Sequence, residues 1–353
     1  MSEIKYSLLS VSTVPAINIG DYIQALAARQ FLPRVDSYIE REHLKDYDGE
    51  RTNVIMNAYY MHDAQQWPPS DKINPLLVSV HINILARDKM LSNEGLEYFK
   101  KHQPIGCRDY ETEKMLLSCG IKAYFSGCLT LTLGRQYKSS KKNEKVYFVD
   151  VKLPIERSYK IKLLIKSLFY FGEIRSLSTK LSTSLLPNCT FFEKWCKSAN
   201  LYLNFKKIMD KDIILNAEYL TQEDKRYNCL PNNDARMEAA ESLVRKYASA
   251  SLVITSRIHC ALPCLAVETP VYYVYDDNMP LFSSCRLDGL VQLFNVIHWT
   301  GKELKSDFAS NLNKISLKNI IPNSKDYIKY SEELSSRCVK FVNSCSEIGK
   351  SNM

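Results

Sequence analysis

One stretch in the second half of the chain, SLVITSRIHCALPCLAVETPVYYVY at residues 251–275, places the strongest constraint on the fold. Residues 252–254 form a short apolar run, which is typical of a strand buried on both faces. Residues 260–266 follow as a helix, in which Pro263 is tolerable because the first turns of a helix do not need its N–H. Residues 271–275 then read as a second buried strand. The stretch therefore predicts a βαβ unit.

Three polar residues, Ser256, Arg257 and His259, fall at the junction of the first strand and the helix. In such a unit ligands bind outside the carboxyl end of the strand, beside the helix N-terminus, whose free N–H groups and dipole attract anions. If Ser256 caps the helix, Arg257 and His259 lie in the first turn, where a cation is disfavoured unless an anion pairs with it. The pattern favours a phosphate or carboxylate site. The alternative is that Arg257 pairs with a structural carboxylate and His259 simply packs.

The length and charge of the chain narrow the choice of fold and ligand. With 353 residues, 45% hydrophobic and 24% charged, the composition is that of a soluble globular protein with two domains. The net charge of +8 is modest and interspersed, and no nucleic-acid-binding motif accompanies it. The charge therefore favours anionic small ligands over nucleic acid.

The cysteines and the apolar runs indicate the compartment. The eleven cysteines include no C-x-x-C pair and no spacing typical of a metal site. Residues 1–11 lack the features of a signal peptide, and no apolar run approaches the ~20 residues of a membrane span. We therefore predict reduced thiols in a cytoplasmic protein.

The first half of the chain alternates between strand and helix patterns, which is typical of a β/α domain. The predicted elements are a strand at 6–11, a helix at 22–32, strands at 53–59 and 76–82, a helix at 92–102, a strand at 104–108, a helix at 109–119 and a strand at 121–125.

The loop before the first helix contains Asn18, Gly20 and Asp21. Asp21 with Gln24 three residues later resembles a capping box, which would make the loop a helix start only. The functional interpretation is that a glycine at the first strand-to-helix turn lets a ligand approach the backbone. Both interpretations stay open.

Two further residues are placed at carboxyl ends of predicted strands, namely His81 and Arg108. Asp109 then caps the following helix. A lone histidine is more often structural, so His81 is the weaker candidate. Arg108 adds another cationic group at the edge where parallel strands bind ligands.

The polar segment KSSKKNEK at 138–145 separates the two halves. We predict an N-terminal domain at 1–138, a linker at 139–145 and a C-terminal domain at 146–353. The second domain opens with a strand at 146–151 and contains a helix at 234–249. A final helix at 326–343 is expected to pack back across the first domain.

Residues 157–186 are basic and apolar together. They fit an amphipathic surface helix attracted to anionic lipid, and they fit equally a core-packed helix whose lysine stems extend to solvent. Contact with a membrane surface therefore stays open.

Three ordered motifs, NIGDYIQALAARQFLP, PIGCRDYETEKMLLSCGIKAYFSGCLTLTL and SLVITSRIHCALPCLAVETPVYYV, resemble the polysaccharide pyruvyl transferase family. The resemblance runs from about residue 8 to about residue 280. It implies a fold similar to the GT-B glycosyltransferases, with two Rossmann-like domains facing across a cleft. It also implies transfer of a pyruvyl group from phosphoenolpyruvate to two hydroxyls of a sugar, forming a cyclic ketal during surface or exopolysaccharide biosynthesis.

The resemblance assigns roles by position. The R-x-H motif of the family falls on Arg257 and His259, its R-D motif on Arg108, and a first-domain histidine on His81. The glycine-rich loop of the family is reduced here to Asn18, Gly20 and Asp21, because residues 14–17 are Val, Pro, Ala and Ile. This departure concerns the acceptor side of the site.

The chemistry of the donor suits these residues. Phosphoenolpyruvate carries a phosphate and a carboxylate, and the planar fork of arginine holds either one bidentately. We expect Arg257 and Arg108 to bind the donor, with Ser256 at the same junction, His259 to transfer the proton, and His81 to contact phosphate or acceptor. The reaction requires no metal and no cofactor beyond the donor substrate.

Two other functions stay open. One is a glycosyltransferase that uses a nucleotide-sugar, because architecture does not determine function. The other is a non-catalytic carbohydrate-binding relative. For the enzyme, the expected partner is a saccharide acceptor, with a lipid-linked acceptor and a peripheral position at the inner face of the membrane as an extension.

Overall fold

The computed structural model describes residues 4–14, 16–184, 189–306, 308 and 314–351. Within these residues the fold is a mixed α/β structure with parallel sheets. The first half contains β1 (Lys5–Ser10), α1 (Ile19–Arg29), β2 (Ser37–Glu40), β3 (Thr52–Met56), β4 (Tyr59–Tyr60), β5 (Ile73–Leu77), β6 (His81–Ile82), α2 (Arg87–Met90), α3 (Asn93–His102), β7 (Ile105–Cys107), α4 (Tyr110–Ser118), β8 (Ala123–Phe125) and α5 (Gly134–Tyr137).

The second half begins after an irregular segment at 138–145. It contains β9 (Val146–Val149), α6 (Tyr159–Leu168), α7 (Phe171–Ser184), α8 (Phe191–Ile208), α9 (Lys211–Asn216), β10 (Glu218–Leu220), α10 (Asn233–Ser249), β11 (Leu252–Thr255), α11 (Ile258–Ala266), β12 (Val271–Asp276), α12 (Leu281–Ser284), β13 (Asn295–Trp299), β14 (Leu304–Lys305) and α13 (Ile328–Ser351).

Each half carries a parallel sheet. In the first half the strand order is β2-β1-β3-β5, and all neighbours are parallel. Two short parallel pairs, β4 with β6 and β7 with β8, accompany it. In the second half the order is β10-β9-β11-β12-β13-β14, with only β14 antiparallel among these strands. The carboxyl ends of the parallel strands therefore gather at one edge of each sheet.

The largest buried cluster joins the two halves. It contains Ile23 and Leu26 of α1 together with Val244 and Tyr247 of α10 and Leu262 of α11. Apolar residues at helical spacing bury this face of α1. The packing holds the two sheets in a defined relation, and this relation creates the cleft described below.

The predicted βαβ unit is confirmed, because β11 and β12 pair in parallel and α11 connects them. Two details were wrong. The helix begins at Ile258, so Pro263 lies inside it, where the helix would use its N–H, and not in the first turns, where the N–H is not needed. The N-cap position is Arg257 rather than Ser256. The hydroxyl of Ser256 donates instead to the carbonyl of Val274 on β12, over 2.9 Å.

The first helix also starts earlier than predicted. It begins at Ile19, and its N-cap is Asn18, whose side chain accepts from the N–H of Gly20 over 2.9 Å. Asp21 is therefore not the cap. Its carboxylate accepts from the side-chain amide of Gln24 over 3.1 Å, inside the first turn.

The strand predicted at 76–82 is two strands, because Ser79 adopts a left-handed backbone with φ of 55°. His81 consequently opens β6 instead of ending a strand, which corrects its predicted position. The strand predicted at 53–59 is likewise divided into β3 and β4.

The basic segment predicted at 157–186 forms two helices, α6 and α7, as far as residue 184, and residues 185–188 lie outside the described residues. The final helix is α13, and it packs on the first half as predicted. Ser331 donates to the carbonyl of Leu131 over 2.9 Å, and the hydroxyls of Tyr6 and Ser346 lie 3.3 Å apart.

All eleven cysteines are free thiols. In the described part of the chain, none of the helices combines the length and the apolarity needed to cross a membrane.

Candidate active site in the cleft

A cleft of about 470 Å³ lies between the two halves, at the carboxyl edges of both parallel sheets. Its wall includes residues that directly follow or end a strand: Val11 after β1, Arg41 after β2, Arg108 after β7, Ser256 and Arg257 after β11, and Asp276 at the end of β12. This edge is where open parallel sheets bind ligands. The size is within the range of small-molecule sites.

His259 lies in the first turn of α11, and a proline leaves its backbone carbonyl without the usual helical donor. Pro263 has no N–H to donate to the carbonyl four residues earlier, which belongs to His259. That carbonyl accepts instead from the side-chain amide of Gln222, over 3.1 Å. The carbonyl of Gln222 in turn accepts from the N–H of Ile19, over 2.8 Å. Gln222 therefore connects the start of α1 to the backbone of His259.

Gly20 completes this contact. A Cβ at position 20 would lie 2.9 Å from side-chain oxygens of Asn18 and Gln222 and 3.2 Å from the Cβ of His259. The glycine thus allows α1 to approach His259 closely. Asn18 and Asp21 line the cleft, whereas Gly20 lies behind its wall. The atoms that approach Gly20 closely therefore belong to Asn18, Gln222 and His259, and not to a ligand in the cleft.

The imidazole of His259 is buried, with 7% of the residue exposed, and its Nε2 has no hydrogen-bond partner among the described residues. Burial holds the pKa of His259 well below its usual value, and the charges of Arg108, Arg286, Arg257 and Arg41 lower it further. The ring is therefore neutral near pH 7 in the free protein. An anion bound beside the ring would raise this pKa, because it favours the charged imidazolium.

Arg108 is the most unusual cation in the cleft. It is buried, with 2% exposed, and its Nε has no partner among the described residues. Burial lowers the pKa of the guanidinium, and the charge of neighbouring Asp109 opposes this shift. The carboxylate of Asp109 is itself occupied by His81, at 2.6 Å, and by Thr112. A buried charge without an ion-pair partner is costly for the folded protein.

Arg257 is paired, unlike Arg108. Its Nε donates to Asp150 over 3.0 Å, and its Nη2 lies 2.5 Å from a carboxylate oxygen of Glu223. Burial opposes the charged form, but these two carboxylates raise the pKa of Arg257 above its usual value. Arg257 therefore has the structural carboxylate partners that the alternative interpretation predicted. It also lines the cleft.

Two more cations line the cleft and have no ion pair within the described residues: Lys152 and Arg286. Burial lowers the pKa of Lys152, and the charges of Arg257 and Arg286 add to that effect. The backbone N–H of Lys152 donates to Ser256 over 3.1 Å, which anchors the loop after β9 to the start of α11. The cleft therefore offers several positive charges to an anionic ligand.

The structure brings together most of the site residues predicted from sequence. His259, Arg257, Ser256, Arg108, Asn18 and Asp21 all line the cleft. His81 does not line it, since its ring packs against Tyr59 with centroids 5.1 Å apart and its Nδ1 is bound to Asp109. Burial and the charge of Arg108 lower the pKa of His81.

Five further residues of the cleft wall were not predicted from the sequence: Arg41, Lys152, Gln222, Glu223 and Arg286. Arg41 carries a usable signal, because it is a charged residue immediately after the end of β2, and Lys152 carries a weaker one, because it lies three residues after the end of β9. Gln222 and Glu223 follow β10, a strand of only three residues with little apolar pattern. Arg286 lies in a short 3₁₀ turn, where no sequence pattern identifies a binding residue.

We expect the free energy of unfolding to fall as the pH drops below about 6.5, the usual pKa of histidine. Burial lowers the pKa of His81, His102 and His259 in the folded state. Below that pH the unfolded state binds protons that the folded state excludes. Each histidine therefore lowers the free energy of unfolding by up to about 1.4 kcal/mol per pH unit. Urea denaturation at several pH values measures the slope. His259→Gln should make the slope shallower, and an unchanged slope would contradict this account.

A family model described as polysaccharide pyruvyl transferase matches residues 18–278, most of the chain. The match includes both βαβ strands, α11, and every cleft residue discussed above except Val11 and Arg286. The chain belongs to the polysaccharide pyruvyl transferase family. Membership indicates a transferase that acts on a saccharide acceptor. Neither a curated protein nor a solved structure matches the chain.

Proposed function

We propose that this protein transfers the pyruvyl group of phosphoenolpyruvate to two hydroxyls of a saccharide, forming a cyclic ketal and releasing phosphate. One observation carries the proposal. Arg108 from the first half and His259 from the second are both buried, both face the same cleft, and both have a nitrogen without a partner among the described residues. This reaction needs a cation that binds the donor anion and a side chain that transfers a proton, and these two residues provide them.

The charges of the cleft suit the donor. Phosphoenolpyruvate brings a phosphate and a carboxylate, and the cleft presents Arg108, Lys152 and Arg286 without ion pairs within the described residues. We assign these three to the donor. Arg257 joins them through Nη1, because its Nε and Nη2 are already engaged by Asp150 and Glu223. Glu223 and Asp150 thereby orient the fork of Arg257.

The proton balance of the reaction assigns a role to His259. The CH₂ carbon of the donor takes up a proton, which gives cationic character to the adjacent carbon, and one sugar hydroxyl attacks that carbon. The bond to phosphate then breaks, and a second hydroxyl closes the ketal ring. Of the two hydroxyl protons, one replaces the proton given to the CH₂ carbon and one leaves with phosphate. Donor anions raise the pKa of His259, so its ring can deliver the first proton and regain one later.

We further infer a GT-B-like arrangement of two Rossmann-like domains, with the boundary near 139–145. The position of the cleft at the carboxyl edges of two parallel sheets supports it. In this arrangement the second domain carries the donor residues of α11. The first domain contributes Arg108 to the donor site. It also contributes the loop at Asn18 and Asp21, which we assign to the acceptor side.

Calorimetric titration with phosphoenolpyruvate tests the donor assignment without knowledge of the acceptor. We expect saturable binding to the wild-type protein and at least about tenfold weaker binding to Arg286→Gln, since a charged contact is worth about 1.5–3 kcal/mol. Arg51→Gln is the matched control, because Arg51 is exposed and does not line the cleft. It should bind like the wild type.

A parallel titration with a nucleotide-sugar separates the main alternative. Binding of the nucleotide-sugar with no binding of phosphoenolpyruvate would replace the proposal with a glycosyltransferase. Phosphate release that requires both phosphoenolpyruvate and a saccharide would support ketal formation. Donor binding with no phosphate release, across a panel of saccharide acceptors, would favour a non-catalytic relative.

A further inference from the structure

Helices α6 to α8 contain a concentration of positive charge. Residues 157–207 include ten Lys and Arg against two Asp and Glu, a net charge of +8. This equals the net charge of the whole chain, so the remainder of the sequence is neutral overall. The expectation of an interspersed net charge was therefore wrong, because the excess positive charge is concentrated in this segment. Such segregation on one layer of helices is not expected from a core-packed helix whose lysines only extend to solvent.

The same helices expose apolar side chains. Seven of the fifteen large apolar side chains that are exposed in the described residues belong to this layer: Ile161, Ile165, Leu168, Phe169, Phe171, Phe191 and Phe192. We call these seven, with Lys162 and Lys166, the α6–α8 surface. Phe169 is 82% exposed and Phe191 is 77% exposed. Large aromatic side chains so far from burial indicate an interaction site.

The geometry of α6 separates this outer face from the core. Leu163 and Ser167 form the buried face, where Ser167 accepts from the indole N–H of Trp195 over 2.8 Å. Ile161, Ile165 and Leu168 follow helical spacing on the exposed face. The helix therefore has an inner face that is buried in the protein and an outer apolar face that is exposed.

The exposed side chains border an open apolar groove of about 310 Å³. Its wall includes Ile165, Leu168, Phe171, Phe191 and Phe192. Lys162 and Lys166 are exposed, four residues apart on α6, beside this apolar face. Apolar side chains flanked by exposed lysines are typical of helices that lie in the interface of a membrane containing anionic lipid.

We propose that the α6–α8 surface docks onto an anionic lipid surface, with its apolar side chains entering the interface and its lysines contacting the headgroups. Charge complementarity favours this occupant over a second copy of the chain. A symmetric contact between two copies would place one basic surface against another, which is electrostatically unfavourable.

The position of this surface also relates to the cleft. Helix α8 carries Phe191 at its start and Lys197 six residues later. Lys197 lines a cavity of about 480 Å³ that shares Lys152, Glu223 and Arg257 with the cleft. Docking would therefore place helices α6 to α8 at the lipid surface, and these helices border the candidate active site.

Co-sedimentation of the full chain with vesicles tests the proposal without measuring catalysis. Vesicles of 70% phosphatidylcholine and 30% phosphatidylglycerol are compared with vesicles of phosphatidylcholine alone, at about 0.1 M and about 0.5 M salt. We expect binding to the anionic vesicles, at least about tenfold weaker binding to the neutral ones, and marked weakening at high salt, because screening reduces headgroup attraction. A protein that stays in the supernatant with both vesicles would overturn the proposal.

The apolar contribution is tested with Phe169→Ser combined with Phe191→Ser. The matched control is Leu85→Ser with Leu117→Ser, which removes exposed apolar side chains from the first half. We expect at least about a tenfold loss of vesicle binding in the first variant and none in the control. Equal binding by the two variants would overturn the proposal.

The charge contribution is tested with Lys162→Glu combined with Lys166→Glu. The matched control, Lys114→Glu with Lys122→Glu, makes the same charge change at exposed positions of the first half. Only the first variant should lose binding to anionic vesicles. Sedimentation equilibrium gives a further outcome: a dimer that these α6 substitutions abolish, without vesicle binding by the wild type, would assign the surface to a second copy and overturn the lipid proposal.

Discussion

Replacing His259 with glutamine should lower kcat by at least about 100-fold, because general acid–base catalysis contributes roughly 10²–10⁴ to rate. Glutamine retains the Cβ that packs near Gly20 and the backbone carbonyl that Gln222 binds. Donor affinity should change by about tenfold or less, since the ring is neutral in the free protein and protonating it in the complex adds only about 1.4 kcal/mol for each pH unit by which its pKa then exceeds the working pH. Steady-state phosphate release with a saccharide acceptor measures the rate, and calorimetry measures the donor affinity.

The matched control is His62→Gln, the same substitution at another histidine of the cleft wall. His62 is exposed, and the kcat of the His62→Gln variant should stay within about threefold of that of the wild type. Calorimetry in buffers of different ionisation enthalpy gives a second readout. Donor binding should take up a proton in the wild type and not in His259→Gln, because donor anions raise the pKa of the imidazole. Normal turnover by His259→Gln would remove this residue from the mechanism.

The site residues that sequence could predict are those whose position depends on one strand end. Arg108, Arg257 and His259 each follow a short apolar run, and the edge at which parallel strands end is a general property of such sheets. The cap of α11 could not be predicted in this way. Ser256 carries a hydroxyl suited to capping, but a tertiary contact engages it, since the hydroxyl is bound to Val274 of the neighbouring strand and Arg257 takes the N-cap position.

Other parts of the site depend on contacts between distant segments. The engagement of Arg257 by Asp150 and Glu223 joins three loops that are separated by many residues. The role of Gly20 is visible only when α1 and α11 are packed together. His81 was assigned to a strand end because residues 76–82, LLVSVHI, are mostly apolar, and a single left-handed residue, Ser79, breaks that strand. Local patterns do not contain this information.

Replacing Arg108 with methionine should weaken binding of phosphoenolpyruvate by at least about 100-fold, equivalent to about 2.7 kcal/mol. The guanidinium is buried at the end of β7 without an ion-pair partner among the described residues, so the donor anion would be its partner. Truncating one member of a buried charge pair costs about 2–5 kcal/mol of binding. The same burial makes Arg108 expensive for the free protein, because its charge is desolvated and not neutralised.

The variant should therefore separate binding from stability. Arg108→Met should unfold at a temperature equal to or above that of the wild type when no ligand is present, since an unpaired buried charge has been replaced by an apolar side chain of similar length. Saturating phosphoenolpyruvate should raise the melting temperature of the wild type and leave that of the variant unchanged. Arg108→Lys retains the charge but not the planar fork, so its donor affinity should fall between the two. A destabilised Arg108→Met variant that still binds the donor normally would show that Arg108 serves the fold and not the ligand.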